Sequence, residues 1–68
     1  MKLISVQSRG NRLVSVSEDK NIGAGNWLLR YKQFDYCKGR YVAIDLQWFM
    51  LLQTALDMAA EWLEGATV

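Results

Sequence analysis

Histidine is absent from this 68-residue chain, and cysteine occurs once, at Cys37. The first absence removes the usual imidazole acid–base pairs and triads, and with a single thiol it leaves no His/Cys zinc set. The second removes any internal disulfide, so a reducing cytoplasm is the expected setting. Cys37 itself reads as a small half-buried residue rather than a reactive thiol. The longest unbroken apolar run, Trp48 to Leu52, is far short of the roughly 18 residues that a bilayer crossing needs. The opening MKLISVQSRG has a lysine but no apolar run of signal-peptide length. The reading is therefore a cytoplasmic protein with no membrane contact. Ser5, Ser8, Ser15 and Ser17 have no base to activate them, and Asp57, Glu61 and Glu64 read as a solvated helix face. No catalytic residue, metal site or cofactor is expected, and the chain does not read as an enzyme.

What is present fits one domain spanning residues 1–68, near the lower size limit for independent folding. At 51% hydrophobic residues the chain is rich for its length, which favours an oligomer or a bound partner. Charge is lopsided. Residues 1–40 carry all eight Lys and Arg against Glu18, Asp19 and Asp35, a net +5. Residues 41–68 carry Asp45, Asp57, Glu61 and Glu64 with no base, a net −4. Such a split points to an N-terminal part that faces a polyanion.

The long helical pattern runs from Asp45 to Gly65, with Asp45 as N-cap and Gly65 as a left-handed C-terminal residue. Its polar stripe is Gln47, Thr54, Asp57, Glu61 and Glu64. The rest is apolar and divides into two seams, one of Trp48, Leu51, Ala55, Met58 and Trp62, the other of Phe49, Leu52, Leu56 and Leu63, with Ala59 or Ala60 completing it. One stripe suffices to cover a sheet. The second predicts a partner, and a homodimer through Trp48, Leu51, Ala55, Met58, Ala59 and Trp62 is the expectation. Which seam faces the sheet is left open.

Ahead of that helix the periodicity is two. Lys2 to Ser8 and Arg12 to Ser17 alternate around a turn at Arg9-Gly10-Asn11 and predict a β-hairpin. Glu18 to Asn26 is polar and contains Gly23-Ala24-Gly25. Trp27 to Tyr36 follows it as an aromatic strand, so a hairpin loop is expected there and not a phosphate-cradling one. Lys38-Gly39-Arg40 forms a basic turn, and Tyr41 to Ile44 a short fourth strand. The predicted class is α+β, a four-stranded antiparallel sheet followed by one long C-terminal helix packed on it, ββββα.

Cations and aromatics interleave on the strands, with Arg30, Lys32, Lys38 and Arg40 close to Tyr31, Phe34, Tyr36 and Tyr41. Single strands of nucleic acid are held this way, by cations on phosphates and flat side chains under unpaired bases. Arg9 and Arg12 would extend the patch. A solvated strand face over a core of aromatics has the same pattern, and the sequence leaves both open.

The segments LISVQSRGNRLVSVSE and GRYVAIDLQWFMLLQTAL, about half the chain, resemble the ββββα single-stranded-DNA-binding domain of the transcriptional coactivator positive cofactor four. They are loosely similar to a PUR repeat. The resemblance implies a sheet that binds single strands, helices paired in a two-fold dimer, and backbone contacts from Arg9, Arg12, Arg30 and Lys32. Lys38-Gly39-Arg40 matches the family's basic approach to its last strand, whereas Trp48-Phe49 and Trp27-Leu28-Leu29 are apolar where the family is polar.

Two functions remain. One is a non-enzymatic binder of single-stranded DNA or RNA, acting through Arg9, Arg12, Arg30, Tyr31, Lys32, Lys38, Arg40 and Tyr41. The other is a small protein-binding inhibitor of phage or mobile-element type that blocks a host defence complex, with exposed aromatics such as Trp27 and Trp62 as anchors.

Overall fold

The computed structural model describes residues 2–21 and 25–66. Its elements are β1 (Lys2–Arg9), β2 (Arg12–Asn21), β3 (Gly25–Asp35), β4 (Arg40–Phe49) and α1 (Leu52–Glu64). The strands form one antiparallel sheet in the order β1-β2-β3-β4, and the helix packs on one face of it. The α+β, ββββα class expected from the sequence is the one observed.

Gly10, at φ 55, makes the first turn as its lack of a Cβ allows. The two outer tips lie at the same end of the sheet. There Phe34 N donates to Asn11 O (2.7 Å) and the Tyr41 hydroxyl donates to Gly10 O (3.3 Å). At the opposite end β2 and β3 run longer than their alternation suggested, so that Asn21 pairs with Gly25. Gly23 and Ala24 of the expected loop lie outside the described residues.

The largest departure from the sequence reading is where the helix begins. Asp45 is not its N-cap; it lies in β4, opposite Tyr31. Leu46 to Phe49 continue the strand by pairing with Arg30 back to Trp27. The helical pattern conceals a period of two, with Leu46 and Trp48 on one face and Gln47 and Phe49 on the other. Trp and Phe favour strands, and an eleven-residue β3 supplies a full ladder of backbone partners, so pairing overrides local helix propensity. The helix starts six residues later, with Leu51 in the N-cap position and no side-chain cap.

The register assigns every strand residue to a face. Val14, Val16, Leu29 and Tyr31 look toward the helix and are buried with Ala55, Ala59 and Leu63. Trp27, Phe49, Leu52, Leu56, Met58 and Trp62 pack around them. Ala55, Met58 and Trp62 of one seam and Phe49, Leu52, Leu56, Ala59 and Leu63 of the other therefore pack on the same sheet, while Leu51 is left 66% exposed. Ala55 and Ala59, at 0% and 2% exposure, cannot contact a second copy, and Trp48 is not on the helix. This corrects the expectation that Ala55 and Ala59 line a helix-paired dimer. The helix exterior of Gln53, Thr54, Asp57, Ala60, Glu61 and Glu64 is exposed and acidic.

Arg12 closes the far end of the helix. Its Nη1 donates to the Trp62 carbonyl at 2.6 Å, and its guanidinium carbon lies 4.8 Å from the Trp62 ring centroid. Gly65 is not left-handed, with φ −85. A Cβ there would come within 2.8 Å of Arg12 Nη1, the end of a flexible side chain, so a larger residue would push the guanidinium off its contact with Trp62.

Each edge strand carries an irregularity in pairing, between Leu3 and Ser5 in β1 and beside Tyr31/Lys32 in β4, where Ile44 is the extra residue.

Candidate nucleic-acid interface

The sheet face turned away from the helix holds Leu3 and Val6 of β1, then Leu13, Ser15 and Ser17 of β2. Leu28, Arg30, Lys32 and Phe34 follow on β3, and Tyr41, Ala43, Leu46 and Trp48 on β4. Arg30 and Lys32 stand side by side near its middle. They line a groove of 610 Å³ with Ala43, Ile44, Asp45 and Leu46. They also line a second groove of 440 Å³ with Leu3, Val6, Leu13, Ser15 and Ser17. The two cations thus form a ridge between two shallow troughs. Among the described residues neither is held by a carboxylate.

Residues two apart on a strand sit roughly 6–7 Å apart on one face. That spacing is comparable to the phosphate repeat of an extended single strand. Toward the hairpin tips the ridge leads to an aromatic cluster. Phe34 meets Tyr36 at 5.0 Å and Tyr41 at 5.2 Å between centroids, both edge to face. Tyr36 is 78% exposed and its ring is open to solvent.

The expected site residues divide by face. Arg30, Lys32 and Tyr41 are together on the open face. Tyr31 is not: it is buried under the helix, its hydroxyl donates to Gln47 Oε1 at 2.9 Å, and it meets Trp62 edge to face. Burial, and after it the charge of Asp45, raise its pKa above the ordinary 10.0. Arg12 is likewise on the helix side and committed to Trp62. The error has one cause: a basic or aromatic residue in a strand is assigned to a patch by proximity in sequence, whereas the face is set by odd or even position. Arg9 and Arg40 share the helix-side register yet are exposed at the tips, and Lys38 is exposed in the second turn. Asp35 shapes that turn by accepting from the backbone N–H of Cys37 (2.9 Å) and Lys38 (3.2 Å).

Sequence reasoning missed Trp48, which stands half-buried on the open face opposite Leu28. It missed the aliphatic rails Leu3, Val6 and Leu46 as well, which are 60%, 53% and 56% exposed. The alternation of Leu46-Gln47-Trp48-Phe49 was the available signal.

Among the described residues no group of acidic or cysteine side chains is arranged to hold a metal, and no helix is long and apolar enough to cross a membrane. Compared with protein-family models, with curated proteins and with solved structures, the chain has no match.

Proposed function

We propose that the chain is a small non-enzymatic binder of single-stranded nucleic acid and that the open sheet face is its binding surface. The observation that carries the reading is the ridge of Arg30 and Lys32, free of carboxylate partners among the described residues and set between two troughs. Phosphates lie along the ridge. Bases rest on the aliphatic rails and on Tyr36, Tyr41 and Trp48, as unpaired bases stack on flat side chains. Lys38 and Arg40 extend the positive field beyond the tips. The acidic helix exterior repels the same polymer and leaves one face for it. A single copy presents the whole site, so a solution mass of one chain is expected.

The test is fluorescence polarisation with mixed-sequence single-stranded DNA and RNA at two salt concentrations. Affinity should fall steeply with salt, with a logarithmic slope of about −0.7 per phosphate neutralised. No binding at low salt would sink the reading.

The exposed Leu3, Val6 and Leu46 favour a second reading. The same face would then seat a protein with an acidic, partly aliphatic surface, and the chain would act as an inhibitor of a phage or mobile-element kind. A complex recovered intact after nuclease treatment, from which Arg30→Glu releases the partner, distinguishes the two.

A further inference from the structure

The larger open-face groove ends at the β4 bulge, and a third cavity begins there. Ile44 and Asp45 line both that groove and a cavity of 180 Å³ on the helix side, whose other walls are Tyr31, Gln47 and Trp62. An extra residue on an edge strand re-aims its neighbours, so consecutive side chains of β4 serve both faces.

The polar groups of this cavity are specific. The Tyr31 hydroxyl donates to Gln47 Oε1. Gln47 Nε2, with two N–H donors, has no partner among the described residues. Asp45 Oδ1 accepts from Leu46 N at 2.8 Å, and Oδ2 is an unused acceptor. The Tyr31 and Trp62 rings meet at 64° and form an apolar corner, with Arg12 holding the indole. The volume is below the roughly 300–1,000 Å³ of pockets for drug-sized ligands, and suits a single flat ring system.

Resting on the open-face reading, we propose that this cavity takes one unpaired base of the bound strand, turned over the β4 edge, and selects guanine. The Watson–Crick edge of guanine runs donor, donor, acceptor. Its N2–H and N1–H meet the Asp45 carboxylate, and its O6 accepts from Gln47 Nε2. Hydrogen bonds to a charged acceptor are the stronger kind. Thymine and uracil set a carbonyl oxygen against the carboxylate. Cytosine and adenine each offer it one donor where guanine offers two. Bases of single strands are open to reading on this edge, which a duplex would occupy. The neighbouring phosphates stay on Arg30 and Lys32, across the shared rim.

Fluorescence polarisation on the full chain tests this, with labelled oligo-dT and the same strand carrying one central dG, dA or dC. The dG strand should bind tighter than oligo-dT by about tenfold, within the range of a bidentate base contact. The dA and dC strands should gain less. Asp45 is exposed, so Asp45→Ala should preserve the melting temperature. Because it also removes a negative charge beside the Arg30–Lys32 groove, affinity for every strand should rise somewhat, and the readout is the ratio of dG to dT affinity, which should fall to about one. Equal affinity for dG and dT strands overturns the guanine pocket and leaves the open-face reading intact. So does an equal gain from dA or dC, or a dG advantage that survives Asp45→Ala. Failure of every strand to bind instead removes the open-face reading on which the pocket rests.

Discussion

The two faces of this sheet come from the same four strands and differ in almost every physical respect. The helix side is closed: Leu29 is fully buried, Tyr31 has a hydrogen-bond partner, and even the cation of Arg12 is spent on a carbonyl and an indole. The other side keeps two cations and three exposed aliphatics in water. Under the proposed function, substitutions on the helix side should move stability and substitutions of exposed residues on the other side should move binding, with Leu28 and Ser17, buried on that second side, counting toward stability.

Leu29→Ala is the sharpest probe of the closed face. Deleting a fully buried leucine costs about 2–5 kcal/mol, a large part of the stability of so small a domain, measured as the shift in denaturant midpoint. Leu46→Ala, chemically the same change on the open face, should stay within about 0.5 kcal/mol. Equal losses would break the division. The reciprocal probe is Arg30→Glu with Lys32→Glu. Binding to a single strand should fall by about tenfold or more and the salt slope by about 0.7 per cation, with the melting temperature little changed. Arg12→Ala separates charge from position: it should cost about 1–2 kcal/mol of stability through the lost carbonyl bond and ring contact, while oligonucleotide affinity stays within about twofold.

The smallest effect is one of pH. The folded pKa of Tyr31 is raised above the ordinary 10.0, so the folded state holds that proton more tightly than the unfolded chain. Its contribution is fully present below pH 10 and is lost as pH rises through the folded value. Stability should therefore decline above that point, and Tyr31→Phe should remove this component of the alkaline loss in urea titrations.

The order of elements along the chain, the hairpins and the presence of one C-terminal helix were legible because alternation and turn residues are local signals. The start of the helix was not. Leu46 to Phe49 satisfy a helical and a strand pattern equally, and only the register with β3 decides between them. The same limit explains the site. Arg30, Lys32 and Tyr41 were found with Tyr31 and Arg12, although these lie on opposite faces, because composition gives the kind of patch and only the alternation along a paired strand gives its side. The exposed apolar residues lie mostly on the strands, at Leu3, Val6 and Leu46, and also at Met50 and Leu51 where the helix begins, and not along a second helix seam.

Both edge strands, finally, are interrupted at an isoleucine, Ile4 in β1 and Ile44 in β4. An uninterrupted edge is a template for further chains. The irregularities break the rows of unpaired N–H and C=O groups and turn them out of line. Straight edges would offer a second copy a continuous row of backbone partners, and these two strands do not.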